Sequence, residues 1–288
     1  MTAELFALLT ALSFACSNVS VKPGFRYSTP MTATFVSLLI HSIVLWAAVF
    51  LRGGIPPVAT AAVVAIVVAS IMQPGIRHFH YTGIHKIGTS RAVTLRNSYP
   101  FLTVIAGIIF LGEPLTLLGM LGTILVVIGI ALISWRIDKN VPQFRWSYLF
   151  YPIATVLLTT LVHPLRRYAM LQSNEPLFFA ALVGPVSLIA FALFYVSPAC
   201  KEKLVWDRRA AWSLIGSGFF ETMAVLFMLI AFSAGPVYIV SPIAATVPIW
   251  TLILGAIFLR ELETFNTASV IGTICVVAGI VAISQVRS

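Results

Sequence analysis

The chain has 288 residues, 59% of them hydrophobic and only 9% charged, with a formal net charge of +9. A globule of this composition cannot offer water a polar enough surface to stay dissolved, which excludes a soluble protein and leaves the lipid bilayer as the expected solvent. No nucleic-acid partner is expected.

About 20 apolar residues, at about 1.5 Å rise each, cross a hydrocarbon core roughly 30 Å thick. Ten such runs are predicted, making an all-α membrane protein of ten transmembrane helices. The first, 3–21, carries Ser13, Ser17 and Asn18 and ends at Lys22; Glu4 stands where a signal peptide would have a basic leader, so the run reads as a permanent span. The second is 31–51. The third, 62–84, contains Gln73-Pro74-Gly75 followed by Arg77, His78, His80 and Tyr81, where proline and glycine free backbone carbonyls and predict a mid-membrane bend or a packing kink. The fourth, 88–111, holds Arg91, Arg96, Asn97 and Tyr99 ahead of Pro100. The fifth, 115–135, is rich in glycine, as a closely packed helix would be. The sixth to tenth are 146–165, 177–196, 210–232, 237–259 and 267–285, with Glu221 in the eighth and Tyr238 and Trp250 in the ninth. Connecting segments such as 22–30, 136–145, 166–176 and 197–209 gather most of the charge and many prolines.

The second half repeats the first. Pro100, Gly107, Phe110 and Glu113 recur at one constant offset as Pro248, Gly255, Phe258 and Glu261, and Gly122-Thr123 and Gly129 recur as Gly272-Thr273 and Gly279. The expected organisation is two five-helix repeats, 1–137 and 138–288. An odd number of crossings delivers the second repeat upside down, and inverted repeats give two nearly equivalent states, one open to each side of the membrane.

Ser17-Asn18 with Lys22, Tyr81, and the Pro100-to-Glu113 stretch repeated from Pro248 to Glu261 resemble the drug/metabolite transporter superfamily, specifically its ten-helix members with two EamA-type domains. The resemblance covers nearly the whole chain. It implies a multi-pass protein of the inner cell membrane that moves small metabolites through a central cavity between the halves, with the fifth and tenth helices available for a homodimer contact. It does not name the metabolite. Relatives usually keep both termini in the cytoplasm. The Lys and Arg residues of this chain instead favour the odd-numbered loops, against Arg52, Arg166, Arg167 and Arg287 on the other side, which places the termini outside by the positive-inside rule.

Arginines inside spans carry the functional expectation. Arg77 and Arg96 lie at similar depth on neighbouring helices, with Arg91 nearer the rim, and each costs about 2.5 to 3.5 kcal/mol to insert unless it meets water or a partner. At the positions of Arg91 and Arg96 the second repeat has Ile239 and Ala244, so ligand explains them better than scaffold does. Guanidinium forks suit carboxylate, sulfonate or phosphate oxygens, and the expected substrate is a small organic anion. Gln73, Tyr81, Asn97, Tyr99, Tyr238 and Trp250 are further candidates for the cavity wall. Two other readings stay open: snorkelling of the arginines or pairing with Glu221, and a cation exporter or proton-coupled transporter that uses Glu221 itself.

An enzyme acting on lipid phosphate would need an acid, base or metal set, and none is legible, so no catalytic residue and no cofactor is expected. His78 and His80 point to opposite sides of a helix, which argues against a shared metal. Cys16, Cys200 and Cys275 show no paired spacing and read as packing residues. Glu113 and Glu261 end spans and read as structural turn residues, with Thr116 and Thr264 placed to cap the helices that follow.

Overall fold

The computed structural model describes residues 2–113, 116–134, 145–197, 200, 202–258 and 267–285. The expected boundary at 137/138, together with Glu261 and Thr264, lies outside them. In chain order the helices are α1 (Thr2–Gly24), α2 (Pro30–Leu51), α3 (Thr60–Ile87), α4 (Thr89–Arg96), α5 (Tyr99–Leu111), α6 (Leu117–Ser134), α7 (Phe150–Gln172), α8 (Pro176–Tyr195), α9 (Arg208–Ala234), α10 (Val237–Ala244), α11 (Val247–Phe258) and α12 (Thr267–Gln285), with a 3-10 turn over Trp146–Leu149. Seven stretches among the described residues are long and apolar enough to span a membrane, and Tyr99–Leu111, Leu117–Leu132 and Ile274–Ile283 are shorter apolar helices.

The distribution of side chains is inside out. Ile43, Phe50, Ile109, Ile189 and Leu193 are exposed on helix surfaces, whereas Thr10, Ser17, Asn18, Ser37, His41 and Gln73 are buried. Lipid solvates the first set, and polar groups find partners only among helices. Trp146, Trp206 and Trp212 stand exposed where α7 and α9 begin, as aromatics do at a headgroup boundary.

Helix starts follow ordinary capping chemistry. Thr29 Oγ1 accepts from the Thr32 amide ahead of Pro30, whose missing N–H costs nothing in a first turn. Asp207 accepts from the Arg209 amide at 2.8 Å, and the Arg209 side chain hydrogen-bonded to it holds its carboxyl below the usual carboxylate range. Thr116 Oγ1 accepts from Gly119 N at 3.1 Å at the start of α6, as expected.

The third span, where a bend or packing kink is expected, is one uninterrupted helix: α3 runs through Pro74, and the carbonyl of Ser70 that proline leaves without its amide accepts from Ser187 Oγ of α8 at 2.8 Å. The breaks fall in the fourth and ninth runs, at Asn97-Ser98 between α4 and α5 and at Ala245-Thr246 between α10 and α11. Pro100 and Pro248 sit in the first turns of α5 and α11, where each half-helix restarts.

The packing repeats when the halves are exchanged, α1 for α7, α2 for α8 and so on. The contact of α1 with α9 has its counterpart in α7 with α3, α2 with α9 in α8 with α3, and α1 with α11 in α7 with α5. Corresponding helices that meet run antiparallel. Trp46 faces Phe178 and Phe35 faces Phe191 between α2 and α8. Between α6 and α12, a Cβ on Gly122 would come within 2.8 Å of Gly279 O, and one on Gly129 within 2.5 Å of Gly272 O. Glycine alone permits that approach, so the glycine face expected to serve packing is used inside the chain.

Candidate functional site

Where the two half-helix breaks approach α1, α3, α7 and α9, the structure leaves a narrow, partly open cavity with ≈ 20 Å³ of room for the centre of a water-sized sphere. Phe14, Ile76, Val162, Met228, Ala244 and Val247 form its apolar wall, and Gln73, Arg96, Asn97, Tyr99, Thr159, His163 and Arg166 its polar one. The helix breaks bring Asn97 and Ala244 to this wall because an interrupted helix lets its ends turn inward.

Arg96, 8% exposed, lies over the Phe14 ring with its guanidinium carbon 4.9 Å from the centroid, and its Nε has no hydrogen-bond partner among the described residues. Asn97 donates from Nδ2 to Val93 O at 2.6 Å, fixing the side chain at the break. Tyr99 donates to Ser241 O at 3.3 Å, and its ring meets His163 edge-on at 4.9 Å. His163 Nδ1 is 3.1 Å from Ser241 Oγ, so this pair of rings ties α5 and α7 to the short helix α10.

Arg166 was legible only as a loop residue, because the apolar run ends at Leu165. In the structure α7 continues to Gln172, which carries Arg166 into the interior and removes Arg166 and Arg167 from the loop charge count. Arg166 Nη2 donates to Gln73 Oε1 at 2.9 Å, while its Nε is unpartnered among the described residues. A signal was available: at the repeat offset Arg166 falls on Asn18, a residue within the last turn of the first span. Thr159 and His163 lie on the same face of α7.

Arg77 is not in the cavity wall. Its Nη1 donates to Ser37 Oγ at 2.9 Å and its Nη2 to His41 Nδ1 at 3.2 Å, and its Nε lies 3.6 Å from Glu221 Oε1. Arginine only donates, so His41 accepts on Nδ1 and carries its proton on Nε2, which donates to Ala180 O at 2.9 Å. Glu221 is equally committed. Ser17 donates to it at 3.3 Å, Ser217 lies 2.9 Å from Ser17, and the Tyr81 hydroxyl lies 3.4 Å from Ser217. These partners make Arg77, Glu221 and Tyr81 a buried layer beside the cavity.

Three other candidates lie elsewhere. Arg91 is half-buried on α4 outside the wall, and Trp250 packs on the core from α11. The Tyr238 amide, with that of Val237, donates to the Glu113 carboxylate, at 3.4 Å and 2.9 Å. Glu113 thus caps a helix of the other half; Arg167 Nε lies 3.8 Å from it, and Arg167 Nη1 donates to Phe232 O. Burial raises the Glu113 pKa, opposed by the Val237 amide and Arg167. Among the described residues no cluster of three or more His, Cys, Asp or Glu could hold a metal.

A relative from Archaeoglobus fulgidus (strain ATCC 49558 / DSM 4304 / JCM 9628 / NBRC 100126 / VC-16), named an uncharacterized transporter, is 22% identical over 266 residues, spanning 91% of each chain. A solved crystal structure superposes with a TM-score of 0.78 at 16% identity, covering 99% of this chain and 96% of that one, which establishes the shared fold alone. The EamA-like transporter family matches over residues 1–135 and 146–285. With nearly the whole length matched in two successive units, the chain belongs to the EamA-like transporter family of the drug/metabolite transporter superfamily, and is a multi-pass membrane transporter rather than an enzyme.

Proposed function

We propose that this transporter moves a small organic anion across the inner cell membrane by alternating access, with Arg96 and Arg166 as the clamp. The observation that carries the reading is the wall itself: two buried guanidinium groups share a cavity with Thr159, and each retains an Nε without an acceptor among the described residues. Leaving such donors unmet in a low-dielectric interior is costly, and an oxyanion meets them with short, charge-assisted bonds. Gln73, Asn97 and Tyr99 orient the ligand. Arg77 acts one layer back, held by Glu221. Ten crossings in two inverted repeats, 1–137 and 138–288, complete the reading, supported by the exchange symmetry of the contacts and the antiparallel pairing of α2 with α8 and of α6 with α12.

Orientation belongs to the same proposal. Helix assignment takes Arg166 and Arg167 from one side's loop count and Lys22, Lys86, Arg208 and Arg209 from the other's, and the odd-numbered loops keep the basic excess, favouring those loops as cytoplasmic. Leu121 and Ile274 on the outer faces of α6 and α12 remain as the surface for a homodimer contact, since the glycines face inward.

The test is uptake of a labelled anion panel into reconstituted vesicles. Arg96→Ala and Arg166→Ala are each expected to reduce flux at least about tenfold, as loss of one charged hydrogen-bonding group implies. Unchanged anion flux in properly inserted variants rejects the clamp. Transport of lipophilic cations by the wild type, stopped by Glu221→Gln, would establish the rival reading.

A further inference from the structure

The charge count around the cavity specifies more than the sign of the ligand. Among the described residues the buried guanidinium groups are Arg77, Arg96 and Arg166, and the buried carboxylate is Glu221. Glu221 lies against Arg77, and Arg167, further along α7, lies against Glu113. Arg96 and Arg166 therefore face the cavity with no carboxylate partner among the described residues. Arg166 has only the amide oxygen of Gln73, and Arg96 the face of Phe14.

The two come from different halves, Arg96 from the end of α4 and Arg166 from α7. A monoanion would neutralise one of them and leave the other unpaired in a low-dielectric site, a state that buried ions tolerate poorly. Building on the anion-transport reading, we propose that the substrate is a small dianion, such as a dicarboxylate, a disulfonate or a phosphate monoester, with one charge met by each arginine. Bound in this way the ligand bridges the two halves. Thr159 Oγ1, buried and without a partner among the described residues, adds a neutral donor at the same wall.

Purified protein in detergent is titrated with succinate, methanedisulfonate and methyl phosphate, and with methanesulfonate as the monoanion, reading the unfolding midpoint. The same compounds then compete for flux in phosphatidylcholine vesicles, whose lipid has no net charge and cannot substitute for the ligand. Dianions are expected to bind at least about tenfold more tightly than methanesulfonate, the value of one added charged contact. Arg96→Gln and Arg166→Gln should each lower dianion affinity at least about tenfold while methanesulfonate binding holds or improves, and the corresponding lysine variants should keep the dianion preference.

Equal affinity for dianions and methanesulfonate in the wild type overturns the dianion inference while leaving anion transport standing. Failure to bind any anion, with transport of organic cations, overturns both. Should the glutamine variants not fold, the wild-type comparison alone decides.

Discussion

The interface of α1 with α9 and that of α7 with α3 are one interface built twice, yet they bury different charges. In the first, Glu221 receives a hydroxyl from Ser17 and stands beside Arg77. In the second, Gln73 holds the place of Glu221, and Arg166, at the place of Asn18, donates to it. The backbone arrangement survives because small residues and apolar packing set it, whereas charge is free to differ wherever a partner or a ligand can meet it. The carboxylate of the first is neutralised by Arg77 of α3, and the second presents Arg166 to the cavity.

The Arg77–Glu221 pair should give the largest effect on stability. Glu221→Gln leaves the Arg77 charge without its carboxylate, and breaking a buried pair from one side costs roughly 3–5 kcal/mol, read as a lower unfolding midpoint in detergent. The double variant Arg77→Met with Glu221→Met is expected to recover most of that loss. A double variant as unstable as the single one would show that the pair is not the source of the cost.

Next come the seams that keep the two halves aligned. Gly122→Val places a Cβ 2.7 Å from Ile283 Cγ1 and 2.8 Å from Gly279 O, and overpacking of this kind costs about 1–3 kcal/mol. Full retention of thermal stability would mean that α6 and α12 do not meet so closely.

Making the two sides alike sharpens the comparison further. Gln73→Glu restores the residue type of Glu221 beside Arg166, whose Nη2 is already 2.9 Å from the Gln73 oxygen. The new carboxylate should compete with substrate for Arg166 and lower anion flux at least about tenfold, with little change in unfolding midpoint. Loss of fold in this variant, without a selective loss of flux, would assign Gln73 to the scaffold.

The smallest change lies far from either interface. Thr29→Ala removes the cap of α2 and should cost about 1 kcal/mol, with transport unaltered. Transport lost in step with this cap would link the start of α2 to the cavity.

Much of the architecture could be read from the residues, because lipid imposes length and polarity on every crossing. The repeat was visible in Pro100 and Pro248, although their structural meaning was not: each restarts an interrupted helix, while the more conspicuous Pro74-Gly75 lies in an unbroken one. Ser187 is the reason, since a hydroxyl from another helix satisfies the Ser70 carbonyl, and no local rule discloses a partner that distant in sequence. The site was partly legible. Gln73, Arg96, Asn97 and Tyr99 reach the cavity wall, whereas Arg77 turned out to be occupied by Ser37, His41 and Glu221. Arg166 was hidden because hydropathy ends a span at the first charge, while a helix ends only where its backbone hydrogen bonds do.

By itself the sequence determined that this chain lives in a bilayer, that it is built twice, and that its interior holds more positive charge than negative, since these follow from composition, spacing and the cost of burying an ion. Only the tertiary structure decided which arginine Glu221 neutralises and which two are left facing the cavity. Pairing of buried charges depends on distances of a few ångströms between helices far apart in the chain, and those distances are set by packing.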